Sequence, residues 1–552
     1  MYRWSLLAAV CCVLGVGCNS NAELFAPAAT AGSGGVGGAG GSSSRATGAG
    51  GELVCAPEEQ RSCYTGPEGT EGVGVCMAGE QTCSTDGTSW GSCMGEVTPG
   101  SDSCATAEDE DCDGTPTPPC SGTYQWSKHL KSTTTDARAV TSDAAGGVIV
   151  GGGAWLFVDL GAGPQMTNGD FDAFVAKYDA QGNFVFGNVY PETGYQELNG
   201  LGTDAAGNIV LAGDFTSMAD FGGMPLVGSS PFYPDVFVAK LNSAGAHMWS
   251  AGYGDSGEQE GEDLAVDASG NIVVVGQIKG AIDFGGGALA SAGEWDVFVA
   301  KLDPNGNHVW SKRFGDAADQ RVSEVAVDAA GNVFVTGWFK GTMNFGGANL
   351  TSAGSFDIFV VKLAPNGSHL WSKQFGNTYD QVSGGITTDP SGNVVVGGWY
   401  EGAMDFGGGA LPAAPTSGHD IFLAKLDASA GNHLWSKAFG EGPGYQELMG
   451  VSVDATGAVL LTGAFQNSID FGGGPHYSAG ERDSFAAKLD ASGAHIWSKR
   501  FGSTGNDHGF GVASTISTNV LLAGIFQGTV SFGGPAFNAQ TGVDGYLVSL
   551  AP

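Results

Sequence analysis

The feature that most restricts how this chain folds is a phrase that returns at nearly constant intervals. "DIFVVKLAPNGSHLWSKQFG" begins at Asp357, and related phrases begin at Asp172, Asp235, Asp296, Asp420, Asp483 and Asp544, 61 or 63 residues apart. The Lys five places later recurs as Lys177, Lys240, Lys301, Lys362, Lys425 and Lys488, with Ser549 in the last copy. An aromatic anchor recurs at Trp126, Phe186, Trp249, Trp310, Trp371, Trp435 and Trp497. A period near 60 sustained over about 430 residues marks a repeat architecture, in which each copy is one supersecondary unit.

Each copy reads as four strands. "SEVAVDAAGNVFVTGWF" holds two β-branched runs joined at Asp328 to Asn332, where Gly331 supplies the positive φ of a tight turn. The quoted phrase is a second hairpin with Pro365-Asn366-Gly367 at its turn. Along it Ile358, Val360 and Lys362 alternate with Phe359, Val361 and Leu363. A loop such as "NFGGANLTSAGSF" joins the hairpins. The 95 Gly and only 14% charged residues suit short strands and tight turns rather than helices. Four strands per copy, repeated radially, predict an all-β chain whose residues 121–552 form a seven-bladed β-propeller of four-stranded blades. The register also predicts how the ring closes. The chain starts with the WSK strand around Trp126 and stops after the strand that normally precedes WSK, so the first strand should complete the last blade.

The units resemble the SBBP type, a family named for its seven-bladed β-propeller repeat. The resemblance covers Gly122 to Pro552 and rests on the aromatic anchor, the hairpin Gly and the strand pattern recurring in phase.

The N-terminus carries an address. Arg3 and the apolar run Leu6 to Val16 suit a secretory signal and are too short to span a bilayer. "LGVGC" resembles the lipobox of bacterial lipoproteins, which implies a signal of residues 1–17, lipidation of Cys18 and, with Asn19 following, an outer-membrane or cell-surface location. Residues 18–54 are mostly Gly, Ala and Ser and cannot bury enough surface to fold, so they read as a disordered tether. Residues 55–120 hold eight cysteines: Cys55, Cys63, Cys76, Cys83, Cys93, Cys104, Cys112 and Cys120. No pair is spaced CxxC and no His lies among them, which argues for disulfides rather than zinc, with connectivity open. The segment resembles Cys-rich modules of surface proteins in myxobacteria and their relatives, and ends in "EDEDCDG". There Asp109, Asp111 and Asp113 alternate before Gly114, as in half of a calcium loop; Cys120 stands where the bidentate Glu would be. Calcium and a solvated acidic turn are both open readings.

Function is less legible. The net charge of −35 argues against nucleic acid, which needs clustered Lys and Arg. His247, His308, His369, His433 and His495 recur two places before the aromatic anchor and read as structural, and the Asp of each first hairpin turn reads as a turn former. At the start of each inner strand stand Gln196, Gln259, Gln320, Gln381 and Gln446, with Glu197, Glu260 and Glu447 after three of them. These residues either satisfy loop backbone groups or ring a polar binding mouth of the central channel. The leading reading is a monomeric, non-enzymatic surface lipoprotein whose propeller binds a protein or carbohydrate, with calcium as the one cofactor in view. The alternative is a hydrolase or lyase using singular residues such as Asp507, His508 and Arg321. Cys18→Ser is expected to release the protein from the membrane fraction or block its processing. Absence of labelled fatty acid on the wild-type chain would refute the anchor.

Overall fold

The phrase that opens at Asp357 becomes a strand, Asp357–Leu363, in which all seven side chains are buried. Its alternation sends Ile358 and Val360 into one apolar cluster and Phe359, Val361 and Leu363 into another. A strand buried on both faces needs a neighbouring sheet on each side, and a radial array supplies that. The computed structural model describes residues 54–99, 112, 121–168, 170–415, 418–440 and 444–552.

Five four-stranded antiparallel sheets follow one another along the chain, for example Gln320–Val327, Val333–Phe339, Asp357–Leu363 and His369–Phe375. Apart from short two-stranded ribbons, the remaining described strands form one larger sheet. In it the strand Tyr124–Ser142 pairs through Tyr124 to Leu130 with the last strand, Phe537–Leu550, and from Lys131 onward with Val148–Asp159. One strand is thus the outer strand of the last blade and the inner strand of the first. Counted this way there are seven blades, and their inner strands touch in one closed cycle, first to seventh and back to first. Closure follows the predicted route, but the last and first blades share a strand rather than meeting as separate sheets. The segment read as a loop between the hairpins contains short two-stranded ribbons, such as Thr342–Met343 with Leu350–Thr351. Its glycines have a steric reason: a Cβ at Gly347 would collide with the His369 imidazole, whose Nε2 lies 3.1 Å from Ser372 Oγ. The other four repeated His make the same Ser contact, so they are structural, as expected.

Adjacent blades are joined by a repeated contact. Gly367 sits at φ +78° on the ring of Trp310 from the preceding blade, where a Cβ would come within 2.9 Å. Trp310 Nε1 donates to Pro365 O at 2.9 Å. The same Trp-to-turn bond joins Trp126 to Ala180, Trp249 to Pro304, Trp371 to Ala428 and Trp435 to Ala491. At the closing joint Trp497 meets Gly122, which precedes the first strand.

The repeated Lys takes part as well. Lys177, Lys240, Lys301, Lys362, Lys425 and Lys488 pair with the first-hairpin Asp of their own blades, Asp143, Asp204, Asp267, Asp328, Asp389 and Asp454, at 2.7 to 3.5 Å. Four of them also donate to a turn carbonyl of the next blade: Lys177 to Ser243, Lys240 to Pro304, Lys362 to Ala428 and Lys425 to Ala491. The Asp residues do form turns, with Asp328 Oδ1 accepting from Ala330 N and Asn332 N. Their second role, as partners of a buried ammonium, was not read from the sequence. Burial alone would raise Asp143, Asp204, Asp267 and Asp389, but hydrogen bonds from the Lys and the turn more than offset it and hold them below the usual carboxylate range. The last blade lacks both charges at once, with Ser549 at the Lys position and Thr515 at the Asp position.

The described chain divides into two compact units: one takes the residues up to Ser62 with Glu80–Met94, the other Cys63–Gly79 and Gly95–Pro552. Cys55–Cys83 is a disulfide within the first and Cys76–Cys112 within the second. Cys63 and Cys93 are also disulfide-bonded, while Cys104 and Cys120 lie outside the described residues.

Removing one member of a buried ion pair leaves the other charge unpaired, at about 3–5 kcal/mol. Lys425→Met should therefore lower the urea midpoint clearly, and adding Asp389→Asn should recover a large part of the loss. A Lys425→Met protein as stable as wild type would show that the pairs do not hold the ring.

Candidate functional site

Each inner strand has two ends. In six blades one end leads into the Asp turn, and in five the other begins at the repeated Gln. Gln196, Gln259, Gln320, Gln381 and Gln446 are all fully buried. Gln320 Oε1 accepts from Asp316 N, while its Nε2 donates to Asp316 Oδ1 and Lys340 O. Gln196, Gln381 and Gln446 donate to Met218 O, Glu401 O and Gln466 O, and Gln259 bridges Asp255. Their backbone amides are also used: Gln196, Gln259, Gln320, Gln381 and Gln446 donate to the carbonyls of Phe171, Pro234, Trp295, Phe356 and His419. The buried Gln side chains thus bond to loop groups, as one of the two readings the sequence left open has it.

The neighbouring Glu residues are engaged in ion pairs. Glu197 meets Arg138 at 2.8 Å, and Arg138 also holds Asp136 at 2.6 Å. Glu260 meets Arg321 at 3.3 Å, and Arg321 also holds Asp319 at 3.2 Å. Glu447 meets Arg482 at 2.8 Å and His419 at 3.2 Å. Burial would raise Glu447, but the His419 hydrogen bond and the Arg482 charge outweigh it and hold it below its ordinary range. Three carboxylates that read as a negative ring are thus individually neutralised.

What the sequence reading missed is the variable set around this frame. The residue before each repeated Asp varies, with six types in seven copies: Phe171, Pro234, Trp295, Phe356, His419, Arg482 and Val543. Its carbonyl serves the frame, so its side chain is free to vary. Several of these side chains stack with other singular residues at the same end. Arg321 lies 4.1 Å over Trp295, Lys340 4.0 Å over Phe356 and Arg482 5.4 Å over Tyr445. Trp399 stacks on His419 with centroids 4.1 Å apart. Tyr379 and Tyr445 remain 46% and 42% exposed, which leaves apolar contact area at this end for a partner. The signal was available as a column that varies, with six residue types in seven copies, between columns that repeat.

Inside the ring every inner strand bulges at the same place, and a bulge re-aims its extra residue. The bulged residues are Arg138, Asn199, Glu262, Ser323, Gly384, Met449 and Phe510, seven different types that all line a central channel of about 290 Å³.

Of the singular residues, Asp507 takes the Gln position of the last blade. It is fully buried, its amide donates to Arg482 O, and its carboxylate accepts from Ser503 N and Gln527 N. Burial pushes it up to about 6. His508, next to it, is pushed down to about 4 by burial and is neutral at physiological pH. Cys18, Asp109, Asp111 and Asp113 lie outside the described residues. Among the described residues no group of three or more His, Cys, Asp or Glu side chains is placed to hold a metal ion.

No family model matches the chain. It is 23% identical over 437 residues to the uncharacterised WD repeat-containing protein L264 of Acanthamoeba polyphaga mimivirus, covering 63% of this chain and 31% of that one. It is 24% identical over 433 residues to the regulatory protein FlaEY of Caulobacter vibrioides, covering 72% of this chain and 43% of that one. The chain therefore spans less than half the length of these relatives. Among solved structures, the Pan2 WD40 domain of Neurospora crassa is 10% identical with a TM-score of 0.39, covering 78% of this chain and 97% of that one.

Asp507 has a folded value of about 6, above its ordinary 3.8, so its contribution to stability is present below pH 4 and lost as pH rises through 6. Between pH 4 and pH 7 wild type should lose on the order of 2–3 kcal/mol relative to Asp507→Asn. Urea midpoints of both proteins at the two pH values check this. A constant gap would show that Asp507 does not titrate as a buried frame residue.

Proposed function

We propose that this chain is a non-enzymatic, lipid-anchored surface protein of the SBBP-like kind, whose propeller engages a partner at the Gln end of its inner strands. The observation that carries this reading is the contrast between frame and side chains there. Gln, Asp and the carbonyl between blades repeat, while the residue before each Asp takes six identities in seven copies. A surface kept only for stability would repeat along with its frame. With its neighbours Tyr379 and Tyr445 the set offers Trp, Tyr and Arg side chains, the types that dominate binding energy at interfaces. The ion pairs that neutralise Glu197, Glu260 and Glu447 favour a partner read by shape and stacking rather than by charge alone, a protein or a carbohydrate. The anchor at Cys18 and the Gly-rich tether would hold that face away from the membrane.

One constellation favours the enzymatic alternative more than the sequence did. His419, Glu447 and Arg482 form a connected group with Tyr445 beside them, and Glu401, pushed up by burial and by Asp380, lies within reach of the His419 charge. Two carboxyls whose surroundings push them in opposite directions suit acid–base work.

The two readings separate in one experiment. The full-length protein and a Tyr445→Ala/Arg482→Ala variant are tested against surface polysaccharides and surface proteins, with product analysis of every retained ligand. Binding without turnover, weakened roughly 30-fold in the variant, is expected for the loss of about 2 kcal/mol at an anchor. Turnover would favour the enzyme. A folded variant that keeps every ligand at wild-type strength would move the binding face elsewhere.

A further inference from the structure

Just after the bulge, each inner strand carries a residue whose Cβ points at the next inner strand. Five copies have Ala139, Gly200, Gly385, Gly450 and Gly511. The reason is close approach: a Cβ at Gly200 would lie 2.7 Å from Leu264 N, and one at Gly450 would lie 2.6 Å from Phe510 O. The third and fourth blades break the rule with Asp263 and Glu324. Each carboxyl reaches the amide that the small residues leave uncovered. Asp263 Oδ2 accepts from Val325 N at 2.9 Å, and Glu324 Oε2 accepts from Ile386 N at 2.6 Å. Inner strands are sheet edges, so a channel-side amide has no ladder partner of its own.

We propose that Asp263 and Glu324 form a proton-operated latch that joins the third, fourth and fifth blades while both carboxyls are protonated and loosens them as the carboxyls ionise. The surroundings support this. Glu262 stands next to Asp263 on the same strand and is tied to the Gln277 amide. Arg138, the cation among the channel-lining residues, is committed to Asp136 and Glu197. Arg321, on the Glu324 strand, is committed to Glu260 and Asp319. The carboxyl pair is therefore compensated by amides and a proton rather than by an ammonium or guanidinium. Burial raises Asp263 to about 7, and burial together with the Asp263 charge raises Glu324 well above the usual range. The two titrate as a pair, and the proton released goes to solvent. Because the folded values are raised, the contribution to the joint is whole below pH 4, below the ordinary carboxyl value, and is lost as pH rises through 7.

The test uses amide hydrogen exchange on the full-length protein from pH 5.5 to 8.5, corrected for intrinsic exchange. Peptides covering Gln320–Val327 and Gln381–Thr388 should lose protection, relative to Gln446–Val453, by about tenfold or more per pH unit from pH 5.5 up to 7. Gln446–Val453 carries Gly450 at the same position and serves as the internal reference. Asp263→Asn with Glu324→Gln keeps both acceptors without charge and should flatten the profile. Should that double variant fail to fold, Asp263→Asn alone should make the loss clearly shallower, because one titrating carboxyl is gone and Glu324 no longer faces the like charge that raises it. A wild-type ratio that stays constant with pH overturns the latch. A drop that persists unchanged in the variants overturns it as well.

Discussion

The ring rests on an ammonium that each of six blades buries between its own first turn and the turn of the next blade. Lysine is rarely buried, and a lone buried charge is strongly unfavourable. Here each Lys meets a turn Asp, and four of them also meet a carbonyl across the blade boundary. The pair therefore does two jobs. It fixes the turn that joins the inner strand to its neighbour, and it sets the distance to the following blade. Trp and the hairpin Gly complete the joint, because the indole ring lies flat on a backbone with no Cβ in the way. The last blade tests this internally. Where Lys is replaced by Ser549, Asp is replaced by Thr515, so neither charge is left alone. Thr515 Oγ1 still accepts from Asn519 N at 3.1 Å and keeps the turn.

A frame held by backbone groups, buried Gln and repeated ion pairs leaves other positions free. At the Gln end the interblade bond uses a carbonyl, which any residue supplies. In the channel the bulge uses only backbone geometry, so the extra residue is unconstrained in type. Chemical diversity is therefore concentrated at the Gln end and in the channel, and the variable residues there include Trp, Tyr, Arg, His and Glu. The repeated polar residues that look most like a site, the five Gln, are the least available to a ligand, since they are fully buried.

The sequence by itself determined the class of fold, the number of repeats, the route of ring closure and the structural role of the repeated His. These follow from strand alternation and period, which are local and add up over many residues. It left undetermined which polar residues face a partner. Glu197, Glu260 and Glu447 read as an acidic ring because their neutralising partners stand elsewhere in the sequence: Arg138 lies 59 residues from Glu197, Arg321 lies 61 from Glu260 and Arg482 lies 35 from Glu447. The Lys and Asp columns were both visible, but nothing local says that a residue in a third strand reaches a turn between the first two. Asp263 and Glu324 likewise became meaningful only once the inner strands were seen close enough for a Cβ to touch the next backbone. Pairing of charges and closeness of strands are properties of the closed ring, so tertiary structure alone decided them.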